Sequence, residues 1–279
     1  MLHLFEEKFD NYCSVYNKLT SNIIKSGGYV TLQQHPCLLN YIVAQVKKPP
    51  KHKKRFFSIR TKNKDIVAIF HGCFYLNDNN NSNEFSAIVN PATFIENQSI
   101  RSIVSKTQYQ KILYEIILEN NKVWFLDYCN FGKISFLSSL MNIENSLPKT
   151  HYTRIINLDV GEDLIKKNLR KSYKSIINQA EKKFTIKVLT HNNIQLSDVK
   201  RLSNFHKKIA GRKTRPWESW EEQFKLVLNK KAIFIEAYQN KTLEGFSYFL
   251  CFQKVLHYFS AAYSHDKTGV SQLIVWNAI

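Results

Sequence analysis

The sequence is poor in the residues that build phosphate loops and stapled folds. Its 279 residues hold eight glycines and six prolines. Only Gly27 and Gly28 are neighbours, so neither a GxGxxG dinucleotide turn nor a Walker loop can be assembled. Dinucleotide oxidoreductases and P-loop NTPases are thereby disfavoured. The five cysteines, Cys13, Cys37, Cys73, Cys129 and Cys251, are scattered, odd in number and free of any CxxC pair. That is a reduced-thiol pattern, with neither a disulfide framework nor a zinc site. HExxH, an acidic metal cluster and a GxSxG elbow are missing as well, so no metal site or covalent nucleophile is advertised. No run of about twenty uncharged apolar residues occurs, and no bilayer-spanning helix is expected. The opening "MLHLFEEKFDNY" carries acids and no apolar h-region, unlike a signal peptide. These absences read as a cytoplasmic protein.

Acids are scarce too. The 22 Asp and Glu face 40 Lys and Arg, a net charge of +18. One explanation is codon bias, since the chain is also rich in Asn and Ile. The other is an anionic partner: tRNA, a phosphorylated lipid or sugar, or a membrane surface touched peripherally. Placement favours a partner. Between Lys166 and Arg215 the only acids are Glu181 and Asp198, against fifteen Lys and Arg.

A break near Pro148 divides the chain into lobes at 1–149 and 150–279, and a chain of this length buries roughly three quarters of its unfolded surface. In the first lobe "YNKLTSNIIK" looks helical, and "PCLLNYIVAQV" is a short apolar helix or strand. "KKPPKHKKRFF" reads as an exposed basic loop, because Pro49 and Pro50 forbid a helix. "DIVAIFHGCFYL", "FSAIVNPATFI" and "KVWFLDY" are strand runs. Ser105 and Gln108 carry the signature of a helix start. The fold class of this lobe is α/β or α+β.

In the second lobe "YTRIINLDV" alternates toward a strand. "EDLIKKNLRKSYKSIINQAEKKF" has an apolar stripe at Ile165, Leu169, Tyr173, Ile176, Ile177, Ala180 and Phe184, which predicts one helix roughly 30 Å long. "TIKVLT" is a strand. "LSDVKRLSNFHKKIAG" is a helix closed by Gly211, with His206 on its inward face as a core histidine. "SWEEQFKLVLN" is a third helix, with Ser219 and Glu222 as a capping box. "AIFIEAY", "GFSYFLCFQ" and "VLHYFSAAY" follow at short spacing and predict an antiparallel meander, and "SQLIVWNAI" closes the chain as a helix.

The densest local feature is "FHKKIAGRKTRPWESW". Arg212 and Arg215 sit on a short loop beyond Gly211, suited to bidentate phosphate or carboxylate contacts. Trp217 and Trp220 flank them as stacking surfaces. Arg170 and Lys174, on the basic stripe of the long helix, extend the positive field. Glu236, on a strand between Phe234 and Tyr238, is a half-buried carboxylate suited to general-base work. His265 beside Asp266 is a base with an orienter, although adjacent residues rarely face each other.

From about Tyr152 onward these stretches resemble the second lobe of FemAB-type peptidyltransferases, in the GCN5-related N-acyltransferase (GNAT) superfamily. The opening of that lobe is carried by "IINLDVGEDLIKKNLRKSYKSIINQAEKKFTIKVL", while "FHKKIAGRKTRPWESW", the meander and "AAYSHDKTGVSQLIVWNAI" are similar to an envelope-polysaccharide-associated branch. The first lobe matches in position and size, as the partner of a duplicated fold. The resemblance implies transfer of an acyl or aminoacyl group to an amine of a cell-envelope glycan or peptidoglycan-type precursor. It implies an anionic donor, aminoacyl-tRNA or acyl-CoA, with no tightly bound cofactor. It implies an oxyanion held by a backbone N–H on the strand His257 to Tyr263, with Tyr263 lining the acyl site. Phosphate would be received at the helix start from Thr268 to Ser271. "SHDKTGVSQ" lacks the glycine-rich pyrophosphate loop of acetyl-CoA users, which favours an aminoacyl donor. The family continues with another strand and helix beyond the position of Ile279, so a truncated chain is expected. Three alternatives stay open: an acetyl-CoA-dependent N-acetyltransferase on an amino sugar, a non-catalytic RNA-binding protein, and an inactive paralogue.

Overall fold

The computed structural model of the chain describes residues 2–28, 30, 32, 35–46, 52–76, 83–84, 92–97, 105, 107–108, 111–112, 125–127, 154–265 and 268–279. The chain divides into two compact units, Met1–Lys149 and Thr150–Ile279.

The first unit contains β1 (Leu2–Glu6), α1 (Phe9–Lys25), a 3-10 turn (Pro36–Leu38), α2 (Leu39–Ala44), β2 (His52–Thr61), β3 (Ile66–Leu76), β4 (Asn83–Glu84), β5 (Ala92–Glu96) and β6 (Phe125–Asp127). The sheet runs β1-β2-β3-β5-β6, with β4 on β3. Its pairs are antiparallel except β5 with β6, which is parallel. In α1, Tyr12, Tyr16, Leu19 and Ile23 are buried at helical spacing, so one stripe faces the core. "PCLLNYIVA" resolves as helix. The expected basic loop is corrected: Lys53, Lys54 and Arg55 lie within β2, paired with Phe74, Cys73 and Gly72. Their charges are tied into the fold. Arg55 Nε and Nη2 donate to Glu6 at 3.1 and 2.9 Å, and Lys54 donates to Asn40. Lys47, Lys48 and Lys51, Pro148, and most of the helix expected from Ser105 lie outside the described residues.

The second unit contains α3 (Glu162–Asn168), α4 (Lys171–Glu181), β7 (Thr185–Leu189), α5 (Leu196–Ala210), α6 (Trp217–Leu228), β8 (Ala232–Gln239), β9 (Thr242–Phe252), β10 (Val255–Tyr263) and α7 (Val270–Trp276). The antiparallel sheet runs β10-β9-β8-β7, so the meander is as expected. The two units repeat one order: a strand, two helices, then strands that add successively to the sheet as antiparallel neighbours.

Side chains alternate across the sheet. Ile235, Ala237 and Phe249 face α4 and α7, packing with Ile177, Ala180, Leu273 and Ile274. Phe234 and Phe246 face the other way, where Phe205 of α5 and Trp220 of α6 meet Phe246 with ring centroids 6.1 and 6.2 Å apart. The sheet is thus a middle layer between two helical ones.

Three expectations need correction here. The long helix is two helices, because Leu169 and Arg170 are extended, with ψ of 144° and 143°. The break folds α3 back so that Ile165 and Ile177 share one core, which a straight rod would separate. Lys174 Nζ donates to the Lys167 carbonyl at 2.8 Å, satisfying a helix end that the break leaves open. Tyr173, assigned to the apolar stripe, is 46% exposed. Residues 154–157 of "YTRIINLDV" are not a strand. The capping box at Ser219 is absent: α6 starts at Trp217 after Pro216, and Ser219 Oγ donates to the Pro216 carbonyl. Glu222 instead pairs with Lys225 at 2.6 Å. A reciprocal contact appears at the start of α5, where Gln195 N donates to Asp198 Oδ2 at 2.9 Å.

Gly245 of β9 sits where α7 crosses the sheet. A Cβ there would stand 2.6 Å from Val270 Cγ1 and 2.7 Å from Tyr263 Cδ1. Gly245→Ala is therefore expected to cost about 2 kcal/mol, as overpacking does. Urea denaturation followed by circular dichroism measures it, and an unchanged midpoint would show that the seam gives way freely.

Candidate functional site

Helix α5 ends at Gly211, whose φ of 67° is left-handed and suits glycine. The loop beyond it, closed by Pro216 before α6, roofs a hollow of about 220 Å³. Its walls are Ser203, Asn204, His206 and Lys207 from α5, Lys213, Thr214 and Arg215 from the loop, and Trp217 and Trp220 from α6. Among the described residues the lining holds three cationic side chains and no carboxylate. The Arg215 guanidinium lies 4.0 Å over the Trp220 ring, a cation–π contact that fixes a flexible side chain. Trp217 Nε1 donates to Glu221 Oε1 at 2.7 Å, which holds that indole in place. His206 meets Trp220 edge-on, ring centroids 5.6 Å apart, and its Nδ1 lies 3.2 Å from Thr214 Oγ1. Burial and the neighbouring Arg215 charge lower the His206 pKa. Such a hollow favours an anion.

A second feature lies on the same face of the same sheet. In β10 the register shifts between Tyr258, opposite Phe249, and Ser260, opposite Tyr248. Phe259 is the extra residue of a β-bulge, a device that re-aims side chains and frees backbone groups. Among the described residues β10 has no strand on its outer side, whereas β5 of the first unit has β6 there. Ser260 Oγ is buried with no hydrogen-bond partner, an unsatisfied group of the kind that marks a place for a ligand. Ala262 pairs with Phe246, the residue beneath Phe205 and Trp220. Ser260, Ala262 and Trp220 thus lie on one face of the sheet, Trp220 being the wall of the hollow that reaches Phe246.

The residues singled out from the sequence are not all brought together. Arg215, Trp217 and Trp220 line the hollow, while Arg212 is exposed and outside its lining. Arg170 and Lys174 belong to the α4 layer, across the sheet from the hollow. Tyr263 is on that α4 and α7 face too, its hydroxyl 2.5 Å from Ser247 Oγ and 3.3 Å from the Tyr258 hydroxyl. Burial raises the Tyr263 pKa, so it stays a protonated hydroxyl. Ser271 Oγ is 2.8 Å from Gln272 Oε1. The turn before it is pressed onto α4, since a Cβ at Gly269 would stand 3.0 Å from Ala180 Cβ. His265 is exposed beyond the end of β10, and Asp266 lies outside the described residues.

Glu236 is fully buried. It accepts from Arg201 Nη2 at 2.6 Å and from the Tyr238 hydroxyl at 3.0 Å. Arg201 also reaches Asp198 at 2.9 Å, and Lys187 stands 3.7 Å from the same carboxylate. Glu236 is thus committed to an ion-pair network that ties α5 to β7 and β8.

His206, expected as a core histidine, instead lines the hollow. Sequence reasoning put Lys213 on the loop without a role and passed over Lys207, Thr214 and Ser260, although the polar run His206-Lys207-Lys208 in the last turns before Gly211 was a usable signal. The bulge and its orphan hydroxyl had none, because register depends on the partner strand.

Each unit is thus a mostly antiparallel sheet with helices packed on it. The solved structure of FemX has this fold: it matches 99% of the chain and 84% of its own length, at 9% identity and a TM-score of 0.64. A tandem GNAT protein from the clavulanic acid biosynthesis pathway matches 99% of the chain and 84% of its own, at 10% identity and a TM-score of 0.49. L-PGS from Bacillus licheniformis matches 94% of the chain and 70% of its own, at 13% identity and a TM-score of 0.48. At 9% identity the likeness to FemX bears on the fold alone, and the other two carry no argument. No protein-family model matches the chain, and no curated protein sequence matches it. Among the described residues no helix is long and apolar enough to cross a membrane.

Proposed function

We propose that the chain is an acyl- or aminoacyltransferase built from two GNAT-like lobes. It passes an acyl group to an amine of a cell-envelope glycan or peptidoglycan-type precursor on the cytoplasmic side. The observation that carries this reading is the bulge of β10, with the buried, unpartnered Ser260 Oγ, on the same sheet face as a hollow whose described lining has cations and no carboxylate. The FemX fold agrees with it. The donor is aminoacyl-tRNA or acyl-CoA. The amine lone pair attacks the donor's ester or thioester carbonyl. The resulting oxyanion is met by a backbone N–H freed at the bulge, with Ser260 Oγ beside it. The C–O or C–S bond then breaks, and the leaving oxygen or sulfur takes the proton that the amine gives up. Arg215, Lys207 and Lys213 hold an anionic group of one substrate, and Trp217 gives its remainder a flat wall.

Calorimetry with acetyl-CoA and with aminoacyl-tRNA separates the two donors. Binding of one, followed by transfer of its acyl group to an amine, is expected. Binding of uncharged nucleic acid with a steep salt dependence and no product with either donor would overturn the proposal in favour of an RNA-binding protein. Arg215→Ala should raise the KM of the anchored substrate about 30-fold, the value of one charge-assisted contact of roughly 2 kcal/mol. Its kcat should change little. Arg212→Ala should leave KM within about twofold, because that side chain lies outside the hollow. Equal effects of the two variants would mean that the loop charge acts only in bulk.

A further inference from the structure

We propose that the hollow between α5 and α6 is a proton-linked site for a tetrahedral dianion, a phosphoryl or sulfuryl group, with His206 as the residue that takes up the proton. The inference rests on the reading of this hollow as the anchor for a charged substrate. It goes further by stating the ligand's charge state and the coupling.

His206 lines the cavity alongside Lys207, Lys213 and Arg215. The charged groups around it are Lys207 on its own helix and Lys213 and Arg215 on the loop. Helix α6 contributes only Trp217 and Trp220 to the lining, and its Glu221 is engaged by the Trp217 indole. A histidine so placed has burial, a neighbouring guanidinium and an indole behind it, all of which disfavour its charged form. The lowered pKa agrees with that arrangement. Neutral His206 can accept from the Thr214 hydroxyl through Nδ1, which leaves Nε2 protonated. A dianion entering the cavity reverses the local field. It neutralises the repulsion from Arg215 and gives an imidazolium a partner. Binding then draws a proton onto His206, and by linkage the affinity rises as the pH falls. A monoanion reverses the field at His206 less than a dianion does and drives the uptake weakly. The site therefore prefers a doubly charged group over a carboxylate.

Sulfate is the probe, because it stays a dianion from pH 5 to pH 8 and its own titration does not enter. Trp217 and Trp220 in the walls make intrinsic fluorescence the readout. The dissociation constant for sulfate is expected to fall about tenfold between pH 8 and pH 5, which is one pKa unit of coupling, while acetate binds far more weakly. His206→Gln keeps a partner for Thr214 and should bind with a flat pH profile. Calorimetry on the unaltered protein in two buffers of unlike ionisation heat should show net proton uptake near pH 6.5. Zero uptake, a slope that survives in His206→Gln, or no sulfate binding at any pH would each overturn the inference. A normal slope in a protein that transfers no acyl group would leave this site standing and remove the enzymatic reading.

Discussion

Acidifying the protein from pH 7 to pH 4 is expected to cost the first unit about 3 kcal/mol through one histidine. His71 on β3 is buried, and its Nδ1 lies 2.7 Å from the Tyr12 hydroxyl of α1. Burial raises the Tyr12 pKa well above its ordinary value, so the phenol keeps its proton and can donate it. The neutral His71 ring with its proton on Nε2 can accept at Nδ1, and an imidazolium cannot. Burial, with the nearby His35, holds the His71 pKa down to about 3 from an ordinary 6.5. The unfolded chain thus binds a proton between those values that the folded one refuses. Stability is full above about pH 6.5 and drains as the pH falls toward 3. Urea midpoints of the full chain measured across that range should drop accordingly. Tyr12→Phe with His71→Phe replaces both partners by apolar rings and should remove this part of the slope. A double variant as acid-sensitive as the parent would place the sensitivity in the carboxylates instead.

Arg201→Met is expected to destabilise the second unit by about 3 kcal/mol, the lower end of what breaking a buried ion pair costs. Glu236 is fully buried, and Arg201, 40% exposed, closes on it at 2.6 Å. Without the guanidinium, Glu236 keeps the Tyr238 hydroxyl and loses its cation. Burial raises the pKa of Tyr238, followed by the Glu236 charge beside it, so the hydroxyl remains a donor. Lys187 stays near Asp198 and does not replace the lost contact. Adding Glu236→Leu to Arg201→Met removes the stranded carboxylate and should recover much of the loss, since apolar replacement of a whole buried pair is often tolerated. Thermal melts of the two variants show the order. If the single variant is as stable as the parent, the pair lies closer to water than its burial indicates.

Local physics made part of this molecule legible. The meander of β8, β9 and β10 was carried by alternation and short turns, and the close of α5 by Gly211 before a loop that cannot remain helical. Arg215, Trp217 and Trp220 stood out because charge and aromatic rings crowd one short segment. The rest depends on contacts that no window of sequence contains. An unbroken apolar stripe from Ile165 to Phe184 fits one helix equally well, and only the shared core of Ile165 and Ile177 demands the break at Leu169 and Arg170. Arg170 and Arg215 look like parts of one basic field along the chain, yet a sheet lies between them. Glu236 reads as a poised base until Arg201, thirty-five positions earlier, is placed against it.

The central claim is that the bulge of β10 and the hollow on the same face of its sheet serve one transfer reaction. The direct measurement is mass spectrometry of an amine-bearing envelope precursor after incubation with the protein and each acyl donor. The account predicts one added acyl group per acceptor, and product formation that Arg215→Ala slows at low acceptor or donor concentration and nearly restores at saturation. An acceptor of unchanged mass with every donor, from a protein that is folded and binds sulfate, would contradict it.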